Sequence, residues 1–401
     1  MKRDIINCQK VGRVMSILIR NAKVFRAERK DFTLGDVLVS DGLIVAVTEG
    51  TALDVSADPH VEIFDAQGRY LIPGLVDVHT HGRAGGDFST ADETMLRKMA
   101  KSYLASGVTT LLPTLASAPL EELCAATERI EAVRKETEGD PAYARFAGLH
   151  LEGRYLNPSK RGAHAPHLLF PLNADEAVDI MDRCSGVKHI SAALEMDGGR
   201  EFLDCMKARG ITVGLGHTAA TYAEAMDAIQ GGIKSMTHLF NAMPPLHHRD
   251  GGAVCAGLLT PHVYCELICD GYHIAPEMVA LAYRMKGDHL TLITDSMEAT
   301  DCADGEYAIA GMPVIVKDGK ARTIDGAIAG STLSLLEAVK NLTIFARISL
   351  GEAVYAATMA PALQVGLAAE IGSVSEGKRA DLLLLNEDLD ISLMMHGGAW
   401  V

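Results

Sequence analysis

Little in this chain points to a membrane, a nucleic acid or an oxidising compartment. Across its 401 residues no apolar run reaches the roughly eighteen residues that span a bilayer. The stretch from Met1 to Gly12 is polar and charged and lacks the apolar heart of a secretory signal. Met15 is an alternative start, and residues 1–15 are expected to be a disordered extension. Positive charge is in short supply: 37 Lys plus Arg face 52 Asp plus Glu, a net charge of −15. That balance argues against a nucleic-acid or anionic-membrane surface, and an anionic substrate would need a local basic pocket. The eight cysteines (8, 124, 184, 205, 255, 265, 269 and 302) form no C-x-x-C pair and mostly sit in apolar surroundings. They read as reduced core residues of a cytoplasmic protein. There is no repeat of roughly 20–50 residues and no low-complexity tract.

What the chain does have is apolar mass, 48% of residues, ample for a large core. Its length fits a single large α/β barrel with attachments. Apolar strand candidates alternate with helical stretches through the middle: Leu75–Val78, Val108–Leu112, Ala147–Leu151, Ile190–Leu194, Thr212–Leu215, Ser235–Leu239, Tyr264–Cys269 and Leu290–Thr294. Eight is the number a (β/α)₈ TIM-like barrel needs. Helical periodicity marks Ala91–Ser106, Leu120–Thr137, Tyr222–Gln230 and Thr332–Ala346, with Pro119 and Thr332 near two of the helix starts. Both flanks read differently. Short strand-like runs (Ser16–Ile19, Asp36–Val39, Leu43–Val47, Val61–Phe64) and an Asp41-Gly42 turn precede the barrel. Gly372–Val374, Ala380–Leu385 and a Gly397-Gly398 turn follow it. Neither flank buries much alone, so residues 16–72 and 372–401 are expected to pair as one small β-sandwich domain around a catalytic barrel of residues 73–371.

The chemistry-bearing residues fall where strands hand over to loops. In Asp77-Val78-His79-Thr80-His81-Gly82, residues two apart on a strand share a face, so both imidazoles can converge on one ion. An isolated His-x-His is often a pair of surface or cap histidines. Here candidate ligands recur: Glu152 ends the third strand, His217 the fifth, His238 the sixth and Asp295 the eighth, with Glu195 after the fourth and His273 beyond the seventh. Glu152 and Asp295 can also be read as helix-cap carboxylates. Glu152, however, follows an apolar run and needs a partner to offset its burial. A metal-dependent hydrolase accounts for the bias, and a merely structural barrel does not.

The runs Pro73–Gly82, His150-Leu151-Glu152-Gly153, Gly162-Ala163-His164, Gly216-His217-Thr218, Thr237–Met243, Asp270-Gly271-Tyr272-His273, Thr294-Asp295-Ser296 and Gly330-Ser331-Thr332-Leu333 together carry a resemblance. From about Ser16 onward the chain resembles the N-acetylglucosamine-6-phosphate deacetylases of the amidohydrolase superfamily. The resemblance implies an amidohydrolase-type barrel that removes acetate from N-acetylglucosamine 6-phosphate. It implies one or two divalent metals per subunit, zinc first, with iron, manganese or cobalt as alternatives. Glu152, His217 and His238 would hold the main ion, and His79 and His81 a second with Glu152 bridging. Asp295 would be the general base, and His164 would bind the carbonyl oxygen. Asn241, the Ala242 backbone, His273 and Leu333 would contact the sugar phosphate. Arg249 would reach the phosphate from a neighbouring subunit, which implies a homodimer. Lys160 and Arg161 read as solvated charges on a loop.

Three positions depart from the family pattern: Arg154, Leu194 and Glu298. Arg154 and Glu298 are expected to approach each other over the pocket, which leaves the hexosamine epimer open. N-acetylgalactosamine 6-phosphate is thus the nearest rival substrate. A cyclic-amide hydrolase or base deaminase is more distant, because the bridging lysine such enzymes carry at the end of strand four has only the misplaced Lys188 to match it. A non-catalytic barrel scaffold would have lost ligands that are all present here.

Overall fold

The computed structural model describes residues 16–55, 60–309, 311–324 and 326–401; the expected N-terminal extension and the question of Met15 lie outside them. Eight parallel strands form a nearly closed barrel: Leu75–Thr80, Val108–Ala116, Leu149–Glu152, Val187–Ala192, Thr212–Leu215, Ser235–Met236, Tyr264–Ile268 and Leu290–Ile293, each paired with the next. All eight were expected from apolar runs, with ends displaced by a few residues. The first and eighth strands are tied where the barrel closes. Asp295 N–H donates to the His79 carbonyl at 2.9 Å, and Thr294 Oγ1 donates to Asp77 Oδ2 at 2.6 Å.

Helices cover the outside; Gly252–Leu259 is buried nearly all round, and others bury one face. Glu93–Ala105 turns Leu96, Met99, Ala100, Tyr103 and Leu104 inward, and Asp92 caps its N-terminus by accepting from Met95 N–H. Tyr222–Gly231 starts with a reciprocal Thr221–Glu224 capping box and stops at left-handed Gly232. The helix expected from Thr332 begins instead at Leu335, where Ser334 supplies the cap. None of the helices described is long and apolar enough to cross a membrane.

Residues 16–73 and 382–400 meet in one eight-stranded sheet. Leu382–Leu385 pairs antiparallel with Tyr70–Pro73, which lies parallel to Ser16–Arg26. Strand alternation gives this sheet two jobs. Ile17, Ile19, Leu71, Leu382 and Leu384 form a separate apolar cluster, whereas Phe25, Ile72, Leu383 and Leu385 join the barrel core. A three-stranded antiparallel insert, Gly305–Ile309, Met312–Lys317 and Lys320–Thr323, follows the eighth barrel strand. The sequence reading missed it, although Asp318-Gly319 is a hairpin dipeptide. It packs Val314, Val316 and Ala321 against Met297, Ala299 and Ala329 beside the barrel mouth.

Candidate active site

The strand ends converge as their chemistry requires. Glu152 is the hub: its Oε1 lies 2.9 Å from His238 Nε2, 3.2 Å from His217 Nε2 and 3.4 Å from His79 Nε2. Its Oε2 lies 2.9 Å from His81 Nε2 and 3.6 Å from His164 Nε2. Asp295 Oδ1 sits 3.4 Å from His81 Nε2 and 3.6 Å from His79 Nε2. His238 and His217 bring their Nε2 atoms within 3.0 Å. His217, His238 and Asp295 hold these positions on left-handed backbones, φ 46°, 29° and 48°. Each such residue costs about 1–3 kcal/mol, strain of the kind found where geometry serves a site.

This donor set fits divalent metal. Bonds of about 2.0–2.1 Å in a tetrahedral site put neighbouring ligand atoms about 3.3 Å apart, the scale of the Nε2–oxygen spacings above. His79, His81 and Asp295 form one candidate ligand group, and Glu152, His164 and His217 another, each with its ligand atoms within 4.8 Å. His79 Nε2 is buried with no hydrogen-bond partner. The opposite ring nitrogens of His217 and His79 are anchored. His217 Nδ1 donates to the Lys160 carbonyl at 2.7 Å, and His79 Nδ1 donates to Glu266 Oε2 at 3.2 Å. A proton fixed on Nδ1 leaves the Nε2 lone pair for an ion.

Glu266 was missed by the sequence reading. It lies inside the apolar run Tyr264–Ile268, is fully buried, and also accepts from Gln364 Nε2 at 2.6 Å. A carboxylate in the middle of an apolar strand was the available signal.

Electrostatics shows how strongly these carboxylates want positive charge. Burial opposes a charge on His79, but Glu152 and Asp295 outweigh it and raise the imidazole well above its ordinary pKa. His238 is raised as well, with Glu152 overcoming burial. Burial wins at His217, lowering it to about 4. Burial would raise Glu152, yet His79 and the bonds from His164, His217 and His238 hold it well below the usual carboxylate range. Without an ion, protons have to supply the cationic charge.

Above the cluster opens a cavity of about 250 Å³, lined by His81, His164, Asn241, Ala242, His273 and Asp295 among others. Ile309, Ile328, Ala329 and Gly330 form the wall contributed by and beside the three-stranded insert. His273 is oriented by Asp270, whose Oδ2 accepts from His273 Nδ1 at 2.6 Å. No lysine or arginine lines the cavity among the described residues. Arg249 stands on an exposed loop outside it, and its guanidinium makes no hydrogen bond or ion pair among the described residues. Leu333 is buried behind the lining residues, its N–H donating to Ser331 Oγ.

Two expectations need correcting. Glu195 does not join the ligand cluster; it accepts from Thr218 Oγ1 at 2.6 Å, Ala219 N–H at 2.7 Å and Asn157 Nδ2 at 3.0 Å, tying two loops at the barrel mouth together. Arg154 and Glu298 do not pair. Arg154 donates to Glu176 Oε1 at 2.6 Å and stacks over Phe170, its charge already matched. Glu298 turns to the insert and accepts from Ala308 N–H. Leu194 packs against the barrel core. None of the three lines the cavity, so they shape the loops around the site and not the wall facing a sugar.

A parallel barrel with histidines and carboxylates gathered at the strand ends defines a metal-dependent hydrolase. The sequence pattern of the amidohydrolase family matches residues 70–401, and the chain belongs to that family. It is 33% identical to an N-acetylglucosamine-6-phosphate deacetylase of Vibrio furnissii, over 92% of this chain and 93% of that one. It is also 33% identical to an N-acetylgalactosamine-6-phosphate deacetylase of Escherichia coli O157:H7, over 88% and 91%. Among solved structures, a mutant N-acetyl-D-glucosamine-6-phosphate deacetylase of Mycobacterium smegmatis in complex with N-acetyl-D-glucosamine-6-phosphate superposes with a TM-score of 0.86. The sequence identity is 29%, covering 97% of this chain and 99% of that one.

Proposed function

We propose that this chain hydrolyses the acetamide of N-acetylglucosamine 6-phosphate to acetate and glucosamine 6-phosphate. The observation that carries this reading is the meeting of Glu152, His79, His81, His217, His238 and Asp295 around one point at the mouth of a barrel. The Vibrio furnissii and Mycobacterium smegmatis relatives bear that activity in their names. Glu152, His217 and His238 would hold the principal ion, and His79 and His81 a second. Zinc suits these ligands best, with iron, manganese and cobalt as alternatives. A bound ion of this kind lowers the pKa of water and polarises a carbonyl oxygen.

The remaining work falls to the protein's own groups. Asp295 is part-exposed, and its carboxylate accepts no hydrogen bond among the described residues, so an oxygen is free to take the proton of the attacking water. As the C–N bond breaks, the same proton passes to the departing nitrogen, and acetate and a free amine result. His164 donates to the carbonyl oxygen as negative charge builds there. Asn241 and the Ala242 backbone meet the phosphate, His273 meets the sugar or its phosphate, and Leu333 backs them.

A phosphate brought into this cavity meets no lysine or arginine among the described residues of its own chain. We therefore assign Arg249 to the partner subunit's substrate in a homodimer, where a guanidinium fork matches phosphate oxygens. A cytoplasmic setting suits phosphorylated sugars and the free thiols of Cys124 and Cys184.

The test is acetate release from both epimers, paired with metal analysis of the untreated protein. Preferential turnover of N-acetylglucosamine 6-phosphate is expected. Preference for the galactosamine epimer would select the reading that the Escherichia coli relative's name suggests. Release from neither would overturn the proposal.

A further inference from the structure

Ser117 is the first residue after the second barrel strand, buried, and assigned no role so far. Its hydroxyl meets two groups that decide where protons lie. Arg154 N–H donates to Ser117 Oγ at 2.9 Å, which commits the oxygen as an acceptor there. Gly153 makes that approach possible: at φ +138° its backbone crosses Ser117, and a Cβ there would stand 2.2 Å from Ser117 Oγ. The hydroxyl still has its own proton to give, and His164 Nδ1 lies 3.1 Å away. Ser117 N–H also points at that nitrogen, at 3.4 Å. Two donors thus aim at His164 Nδ1. A proton on Nδ1 would set N–H against N–H, so the neutral ring carries its hydrogen on Nε2. That atom faces the cavity, 3.6 Å from Glu152 Oε2.

We propose that Ser117 is a positioning residue that fixes His164 in the Nε2–H tautomer, so that a donor and not a lone pair meets the substrate's carbonyl oxygen. The inference rests on the proposed role of His164. Its physical content is that the wrong tautomer would point a lone pair at a developing oxyanion and repel it.

The tautomer is read directly from two-bond ¹⁵N–¹H correlations of the histidine rings in zinc-loaded, ¹⁵N-histidine-labelled protein. The His164→Gln spectrum identifies the signal by its disappearance. The wild type is expected to show the Nε2–H pattern. In Ser117→Ala the pattern should become mixed, with kcat falling on the order of tenfold and KM changing less than about twofold. Ser117→Thr, which keeps the hydroxyl, should restore both. A wild-type signal with the proton on Nδ1 overturns the proposal, and that reading needs no variant to fold. So does a folded Ser117→Ala protein with unchanged pattern and unchanged kcat. An undiminished kcat in His164→Gln would instead remove the role of His164 while leaving the tautomer assignment intact, so the two failures are distinguishable.

Discussion

Asp295 and Asp381 are both aspartates beside a histidine, one at the barrel mouth and the other in the terminal sheet under the first barrel strand. Asp381 is engaged: Arg379 Nε donates at 2.9 Å, Gly397 N–H donates at 2.7 Å, and His396 Nδ1 lies 2.9 Å away. Its backbone carbonyl accepts from Gly74 N–H at 2.8 Å, which ties the sheet to the start of the barrel. Asp295 has histidines at 3.4 and 3.6 Å and no hydrogen bond to its carboxylate among the described residues. The same pair of residue types holds a fold together where neighbouring donors engage the carboxylate. Where lone pairs are left free and strained backbones aim them at one point, it is available for chemistry.

That contrast can be broken at either end. The largest effect is expected for Asp295→Asn, which removes the proton acceptor but keeps the shape. Acetate release should fall about 10³-fold with metal content unchanged by elemental analysis. Unchanged turnover would end the assignment of Asp295 as base.

Next comes Glu266→Gln, which weakens the acceptor behind His79. Competition with a chelator should show metal held about 10- to 100-fold less tightly, while the circular dichroism stays that of the parent protein. Equal retention would reduce Glu266 to a structural role.

The pH response should separate metal-free from loaded protein. His79 is raised in the folded chain, so the stability it lends the metal-free protein is complete below its ordinary pKa of 6.5 and is lost as pH rises through the raised value. An ion replaces that proton, so loading should release protons, and affinity should fall as pH falls. Calorimetry in buffers of different ionisation enthalpy measures the release, and none would contradict the reading of the cluster.

The smallest effect on activity belongs to Asp381→Asn. Burial opposes the Asp381 carboxylate, but His396 and Arg379 prevail and bring it down to about 2 from 3.8. Its contribution of about 2 kcal/mol is therefore present above the ordinary carboxylate pKa and lost as pH falls toward 2. The variant should lose that much stability in urea melts at neutral pH and keep its kcat. A loss of activity without loss of stability would mean that the terminal sheet takes part in catalysis.

Legibility in the sequence followed the range of the interaction involved. Apolar runs and helix caps are local, so the eight barrel strands could be read within a few residues, as could His79, Glu152, His217, His238 and Asp295 at their ends. The three-stranded insert was overlooked because its strands are only four to six residues long and fall between the eighth barrel strand and the helix expected from Thr332. Glu266 and Ser117 were missed for another reason. An isolated carboxylate in an apolar strand and a serine after one carry no periodic signature, and their roles depend on partners 187 and 47 residues away.

By itself the sequence determined which side chains stand at strand ends, since a two-residue period and runs of apolar residues are properties of neighbouring positions. Only the tertiary structure decided that Glu195 ties loops instead of joining the histidine cluster, that Arg154 and Glu298 have separate partners, and that no lysine or arginine among the described residues lines the cavity. It also decided which partners each ring nitrogen meets. A hydrogen bond is settled by distance and direction in space, and the order of residues along the chain carries neither until the barrel has closed.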